Sequence, residues 1–104
     1  MKLLTKEITK KLPPLRATDG NDEAKFYVKF FALASGWSWY ACEFDGEDTF
    51  FGLVDGHELE WGYFSLKELQ EQKWMGIPRI ERDMWFTPIS KRELEAKLRS
   101  GEHV

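Results

Sequence analysis

Residues 45–69 read DGEDTFFGLVDGHELEWGYFSLKEL, and the fold turns on this stretch. Its two Asp-Gly pairs, at 45–46 and 55–56, tolerate the positive φ values that tight hairpin turns need. Between and after them, TFFGLV (49–54) and LEWGYF (59–64) are short, aromatic and β-branched, which is the composition of strands. The pattern then changes. In FSLKEL (64–69) Ser65 is placed to cap a helix, and Glu68 reaches back to the Ser65 amide. Phe64 and Leu69 occupy the two positions of a hydrophobic staple. The order strand, turn, strand, helix argues for an antiparallel meander that runs into a helix.

The reading extends upstream. WSWYACEF (37–44) and KFYVKFFALA (25–34) have strand composition and are separated by a turn at Ser35-Gly36. Residues 16–24 are polar and turn-rich, hence a loop. Thr5 is placed to cap a helix over 6–12, with Ile8 and Leu12 on one face and Pro13-Pro14 as its stop. Downstream, a helix over 66–73 ends before Gly76 and Pro78, and RDMWFT (82–87) reads as a fifth short strand. ISKREL (89–94) then repeats the capping box with Ile89, Ser90, Glu93 and Leu94, which predicts a helix over 91–100 closed by Gly101. Outside the box the two segments share almost nothing, so one folding instruction is used twice and no unit is duplicated. The expected architecture is α+β: a single domain over 1–104, with an antiparallel meander of four to five strands and two to three helices packed on one side.

Composition narrows the function classes. A chain of 104 residues fits one domain, and its eight Phe, five Trp and three Tyr are enough to fill a small core with rings. The single cysteine, Cys42, excludes an intramolecular disulfide and fits a reducing compartment. Within WYACEF it reads as a small buried hydrophobe rather than a nucleophile. No stretch approaches the ~18 apolar residues of a membrane span, and residues 1–20 lack a signal-peptide core, so the expected address is the cytoplasm.

Charge is distributed unevenly. Lys2, Lys6, Lys10, Lys11 and Arg16 crowd the N-terminal segment, whereas residues 30–66 hold no Lys or Arg. That middle block carries Glu43, Asp45, Glu47, Asp48, Asp55, Glu58 and Glu60. Such a field disfavours nucleic-acid phosphate and favours a basic partner. The candidate partner-binding residues are therefore Glu47, Asp48, Asp55, Glu58 and Glu60, acting on a protein with a basic surface. The alternative is a nucleic-acid accessory factor in which exposed rings such as Trp37 and Trp39 stack on bases beside basic helix faces. Asp55, His57, Glu58 and Glu60 form the one cluster with acid–base or ligand character, but their spacing fits no standard zinc pattern. His103, beside the C-terminus, is expected to be mobile. No phosphate-binding glycine loop and no nucleophile elbow occurs, so no catalytic residue, cofactor or metal is assigned.

Taken together, the parts resemble a bacterial domain of unknown function, the DUF2958 family. The likeness rests on LLT (3–5), VKFF (28–31), FFGLVDG (50–56), ELEWGYFSLKEL (58–69) and IERDMWFTP (80–88), with FGLVDG and the ERD-x-x-F-x-P pattern the most specific pieces. The resemblance implies a small accessory protein of plasmids, phages and other mobile elements, encoded near conjugation and antirestriction genes. It carries over no catalytic residue.

Overall fold

The computed structural model describes residues 2–104. Helix α1 spans Lys6–Lys11, with the Thr5 hydroxyl accepting from the Ile8 amide at 3.2 Å. A turn-rich loop leads to β1 (Lys25–Phe26) and β2 (Val28–Ala32). Then follow β3 (Ser38–Phe44), β4 (Thr49–Asp55), β5 (Leu59–Ser65) and α2 (Leu66–Gln70). Next come β6 (Lys73–Trp74), β7 (Ile77–Pro78), β8 (Ile80–Arg82), β9 (Ile89–Ser90) and α3 (Lys91–Arg99). Both capping serines act as the sequence predicts: Ser65 Oγ accepts from the Glu68 amide at 3.1 Å and Ser90 Oγ from the Glu93 amide at 3.2 Å. Gly101 follows α3 in the left-handed region at φ 84.

The main sheet has five antiparallel strands in the order β5-β4-β3-β2-β8. The expected α+β domain is therefore present, with four details changed. First, the three helices are divided between the two sheet faces instead of lying together on one. Alternation along β4 sends Phe50 to one face and Phe51 and Leu53 to the other. Phe50 joins a core with Leu3, Leu12, Val28, Phe30, Phe44, Leu69 and Ile80, which α1 and α2 cover. Leu53 joins a second core with Phe26, Tyr40, Cys42 and Leu94, covered by α3. Burying a side chain such as Leu94 contributes roughly 1.5–3 kcal/mol.

Second, the fifth strand is Ile80–Arg82, not 82–87. Asp83 ends it, its carboxylate accepting from the Trp85 amide at 2.9 Å while the Phe86 amide donates to the Asp83 carbonyl oxygen. Third, α2 stops at Gln70, and the chain continues as the hairpin β6–β7, turned by Met75 (φ 51) and Gly76 (φ 80). A two-residue turn with both φ positive matches the twist of the strands it joins. Fourth, the run 25–34 breaks at Tyr27, because β1 leaves the main sheet to pair with β9.

A bulge in β3 sets the chemistry of its surroundings. Ala41 pairs with Gly52 and Glu43 with Phe51, leaving Cys42 as the extra residue. The inserted residue shifts the alternation, so Phe44 stacks on Phe50 at 4.5 Å and Glu43 faces the second core. Cys42 is fully buried, and burial pushes its thiol up from 9.0 to about 11, so it is a protonated hydrophobe at neutral pH.

Candidate functional site

The middle acidic block divides into two groups. Glu43 is 1% exposed and accepts from the Arg16 amide at 2.7 Å, the Thr18 amide at 3.0 Å and the Thr18 hydroxyl. Lys91 donates to the Thr18 carbonyl oxygen at 2.7 Å, which closes a buried polar network around loop 15–24. Asp45 caps its own turn: one oxygen accepts from the amides of Glu47, Asp48 and Thr49 at 2.8, 2.8 and 3.0 Å. Those bonds favour the carboxylate and hold its pKa below the usual 3.8. Asp48 commits both oxygens within the chain, one to the Ser65 hydroxyl at 2.6 Å and one to the Lys67 amide at 2.7 Å. It fastens the β3–β4 turn to the start of α2.

The second group is free of such ties. Glu47, Glu58 and Glu60 are exposed and Asp55 is half-buried. Among the described residues none of these four forms an ion pair. Asp55, Glu58 and Glu60 gather at the β4–β5 turn, where Asp55 pairs with Leu59 and Glu60 with Val54. Glu47 lies in the turn at the other end of the same hairpin. Between the two ends runs β5, which has β4 on one side and no strand on the other. The opposite sheet edge is closed: β8 is three residues long, and Arg82 donates to the carbonyl oxygens of Lys2 and Leu3, clasping the N-terminal segment.

Trp37 and Trp39 are half-buried, with ring centroids 6.1 Å apart, and His57 meets Trp37 edge-on at 5.3 Å. They lie at the start of β3, whereas α1 sits near its end, where the Pro13 carbonyl oxygen accepts from the Phe44 amide at 2.9 Å. The two rings and α1 thus lie toward opposite ends of β3. More exposed than either ring are Trp85 at 92%, Tyr63 at 61% and Trp74 at 59%, none of them among the rings proposed to stack on bases. His57 takes part in no metal-binding geometry: among the described residues no group of three or more His, Cys, Asp or Glu is arranged around an ion. Val104 packs against the second core and accepts from Lys29 Nζ at 2.6 Å, so the segment around His103 is anchored by its neighbour. No helix among the described residues is long and apolar enough to cross a membrane.

These features define a small α+β domain with one closed and one open sheet edge, the open edge acidic at both ends. Its sequence places it within a single family over almost its whole length. The chain belongs to the DUF2958 family, described as a protein of unknown function, and the match spans residues 3–99. No curated protein and no solved structure matches the chain.

Proposed function

We propose that the domain is a non-enzymatic protein-interaction module that accepts a basic, extended segment of a host or mobile-element protein along the outer edge of β5. The observation that carries this reading is the coincidence, among the described residues, of a seven-residue strand unpaired on one side with carboxylates that form no ion pair. An open edge offers a row of backbone donors and acceptors to any extended chain. Charge then selects among chains. Glu58 and Glu60 repel a second acidic strand, which hinders edge-to-edge pairing of two copies, and attract a strand rich in Lys or Arg. Glu47 extends the same field to the far end of the hairpin. Asp48, with both oxygens committed inside the chain, supports the turn that presents Glu47.

The test is capture of partners from the native host by the parent and by a Glu47→Lys, Glu58→Lys, Glu60→Lys variant, over a salt series. The expected result is a protein retained at low ionic strength, released as the Debye length shrinks to roughly 8 Å at physiological salt, and lost in the variant. Equal capture by parent and variant overturns the reading. So does a parent that binds single-stranded DNA, tightened by the reversals with no protein partner lost; that outcome favours the nucleic-acid alternative.

A further inference from the structure

On the face that packs against α1 and α2, beside the β4–β5 turn, lies a cleft of about 380 Å³ lined by Ala32, Trp37, Trp39, Gln72, Arg79 and Ile80. Its volume falls in the range that takes a small organic ligand. One wall is specified by sequence. Gly56 lies outside the positive-φ region, so its turn does not demand glycine. A Cβ at that position would come within 2.5 Å of the Trp37 ring. Glycine is thus required at 56 for the indole to sit where it does, with Trp39 beside it and the His57 ring against its edge.

The opposite wall carries charge. Of the five arginines, Arg16, Arg92 and Arg99 pair with carboxylates and Arg82 holds backbone carbonyl oxygens. Among the described residues Arg79 alone has no side-chain partner, although it is half-buried. Its position is fixed from the backbone: the Arg79 amide donates to the Gln72 carbonyl oxygen at 2.8 Å, and the Leu33 amide donates to the Arg79 carbonyl oxygen at 2.9 Å. Gln72 lines the cleft as well. Glu60 shares the Trp39 face but stands two strands away, across Val54. Glu81 alternates with Ile80 and faces the other side of the sheet, and Asp55 lies on the Tyr40 side.

We infer that this cleft binds a small organic anion with a flat ring, the ring lying on the Trp37 and Trp39 indoles and the phosphate or carboxylate received by Arg79. An indole face takes a flat apolar body, and a planar guanidinium pairs with phosphate or carboxylate through two parallel hydrogen bonds. A cation is repelled by Arg79, and a purely apolar ligand forgoes the charge-assisted hydrogen bonds that the guanidinium offers.

The test uses the intact protein labelled with ¹⁵N and follows the indole and arginine side-chain NH signals by NMR. The probes are adenosine 5′-monophosphate and uridine 5′-monophosphate as flat phosphates, indole-3-acetate as a flat carboxylate, and adenosine and inorganic phosphate as the separated halves. At least one flat anion is expected to shift the Trp37, Trp39 and Arg79 signals saturably. The phosphate and carboxylate arms distinguish which headgroup is received, and each half binds at least tenfold more weakly than the corresponding nucleotide if a phosphate is. Arg79→Gln is expected to weaken that binding about tenfold with an unchanged backbone spectrum. Gly56→Ala is expected to weaken it by displacing Trp37 while leaving Arg79 in place, and Trp39→Leu serves as the second ring variant should Gly56→Ala fold poorly. No shift with any flat anion at millimolar concentration overturns the inference, as do shifts confined to Trp74 or Trp85, or binding indifferent to Arg79→Gln.

Discussion

Gly52 and Gly62 face each other across β4 and β5, yet they do opposite things. A Cβ at Gly52 would stand 1.8 Å from the Tyr40 carbonyl oxygen, so the close approach of β3 beside its bulge depends on that glycine. A Cβ at Gly62, one strand nearer the edge, would meet nothing within 4 Å. The carboxylates repeat the contrast. Glu43, on inner strand β3, is enclosed by three donors, while Glu60, on the edge strand, forms no ion pair among the described residues. Tyr40 is 2% exposed and Tyr63 is 61% exposed. Residue type therefore does not assign a role in this sheet. Distance from the open edge does, because the interior punishes each extra atom or lost bond, whereas the edge leaves side chains available to a partner.

The contrast can be broken most sharply at the glycines. Gly52→Ala is expected to cost more than about 4 kcal/mol, beyond the ordinary range of single substitutions. Gly62→Ala is expected to be neutral or to stabilise by about 0.5–1 kcal/mol, since glycine weakens a strand interior. Urea midpoints at constant slope measure both, and equal effects at the two sites would remove the distinction between inner and edge strand.

The carboxylates come next. Glu43→Ala leaves two amides and a hydroxyl without their acceptor and should cost about 3 kcal/mol or more. Glu58→Ala, on the turn at the open edge, should stay within about 0.5 kcal/mol. The same denaturation series compares them, and a silent Glu43→Ala would show that loop 15–24 is held by other contacts.

A smaller effect appears with pH. Burial raises the Tyr40 hydroxyl from 10.0 to about 12 and the Cys42 thiol from 9.0 to about 11. Both groups keep their protons in the folded state at pH values where the unfolded chain has begun to lose them. Their contribution is complete below about pH 9 and is lost as pH rises through 11 to 12. Thermal stability should decline over that window, and the part due to the thiol should vanish in Cys42→Ala. An unchanged alkaline limb in that variant would mean the thiol titrates as it does in the unfolded chain.

Much of this arrangement was legible in the sequence. The meander, both serine N-caps, the burial of Cys42 and the helix after Pro88 follow from local pattern, although neither Glu68 nor Glu93 returns the bond to its serine's amide that a full capping box would have. What escaped had a nonlocal cause. The β1–β9 ribbon joins residues more than sixty positions apart, and the Met75-Gly76 turn places a side chain in a conformation that methionine disfavours, so neither leaves a local signature. Asp83, two residues before Trp85, is a local turn signal and argues against a strand over 82–87. Of the acidic residues, the sequence located the group but not its division, because whether a carboxylate is free or committed is decided by the tertiary partners around it. Gly56 looked like a turn glycine and is explained by a ring nineteen positions earlier, and Arg79 stands out through its lack of a partner, which no motif records.

The division of the helices between two faces bears on how the chain meets water while it is being made. Synthesis proceeds from the N-terminus at about 5–20 residues per second, and structure forms as segments become available. The face under α1 and α2 has its cover once residue 70 has emerged, and Ile80 completes that core ten residues later. The other face, with Phe26, Tyr40 and Leu53, waits for β9 and Leu94. Until then a row of large rings stands bare on an otherwise formed sheet, offering a nascent chain that has reached residue 88 to chaperones and to like chains alike. A stall or truncation between Ile80 and Leu94 should therefore yield a sheet that has formed and cannot stay in solution.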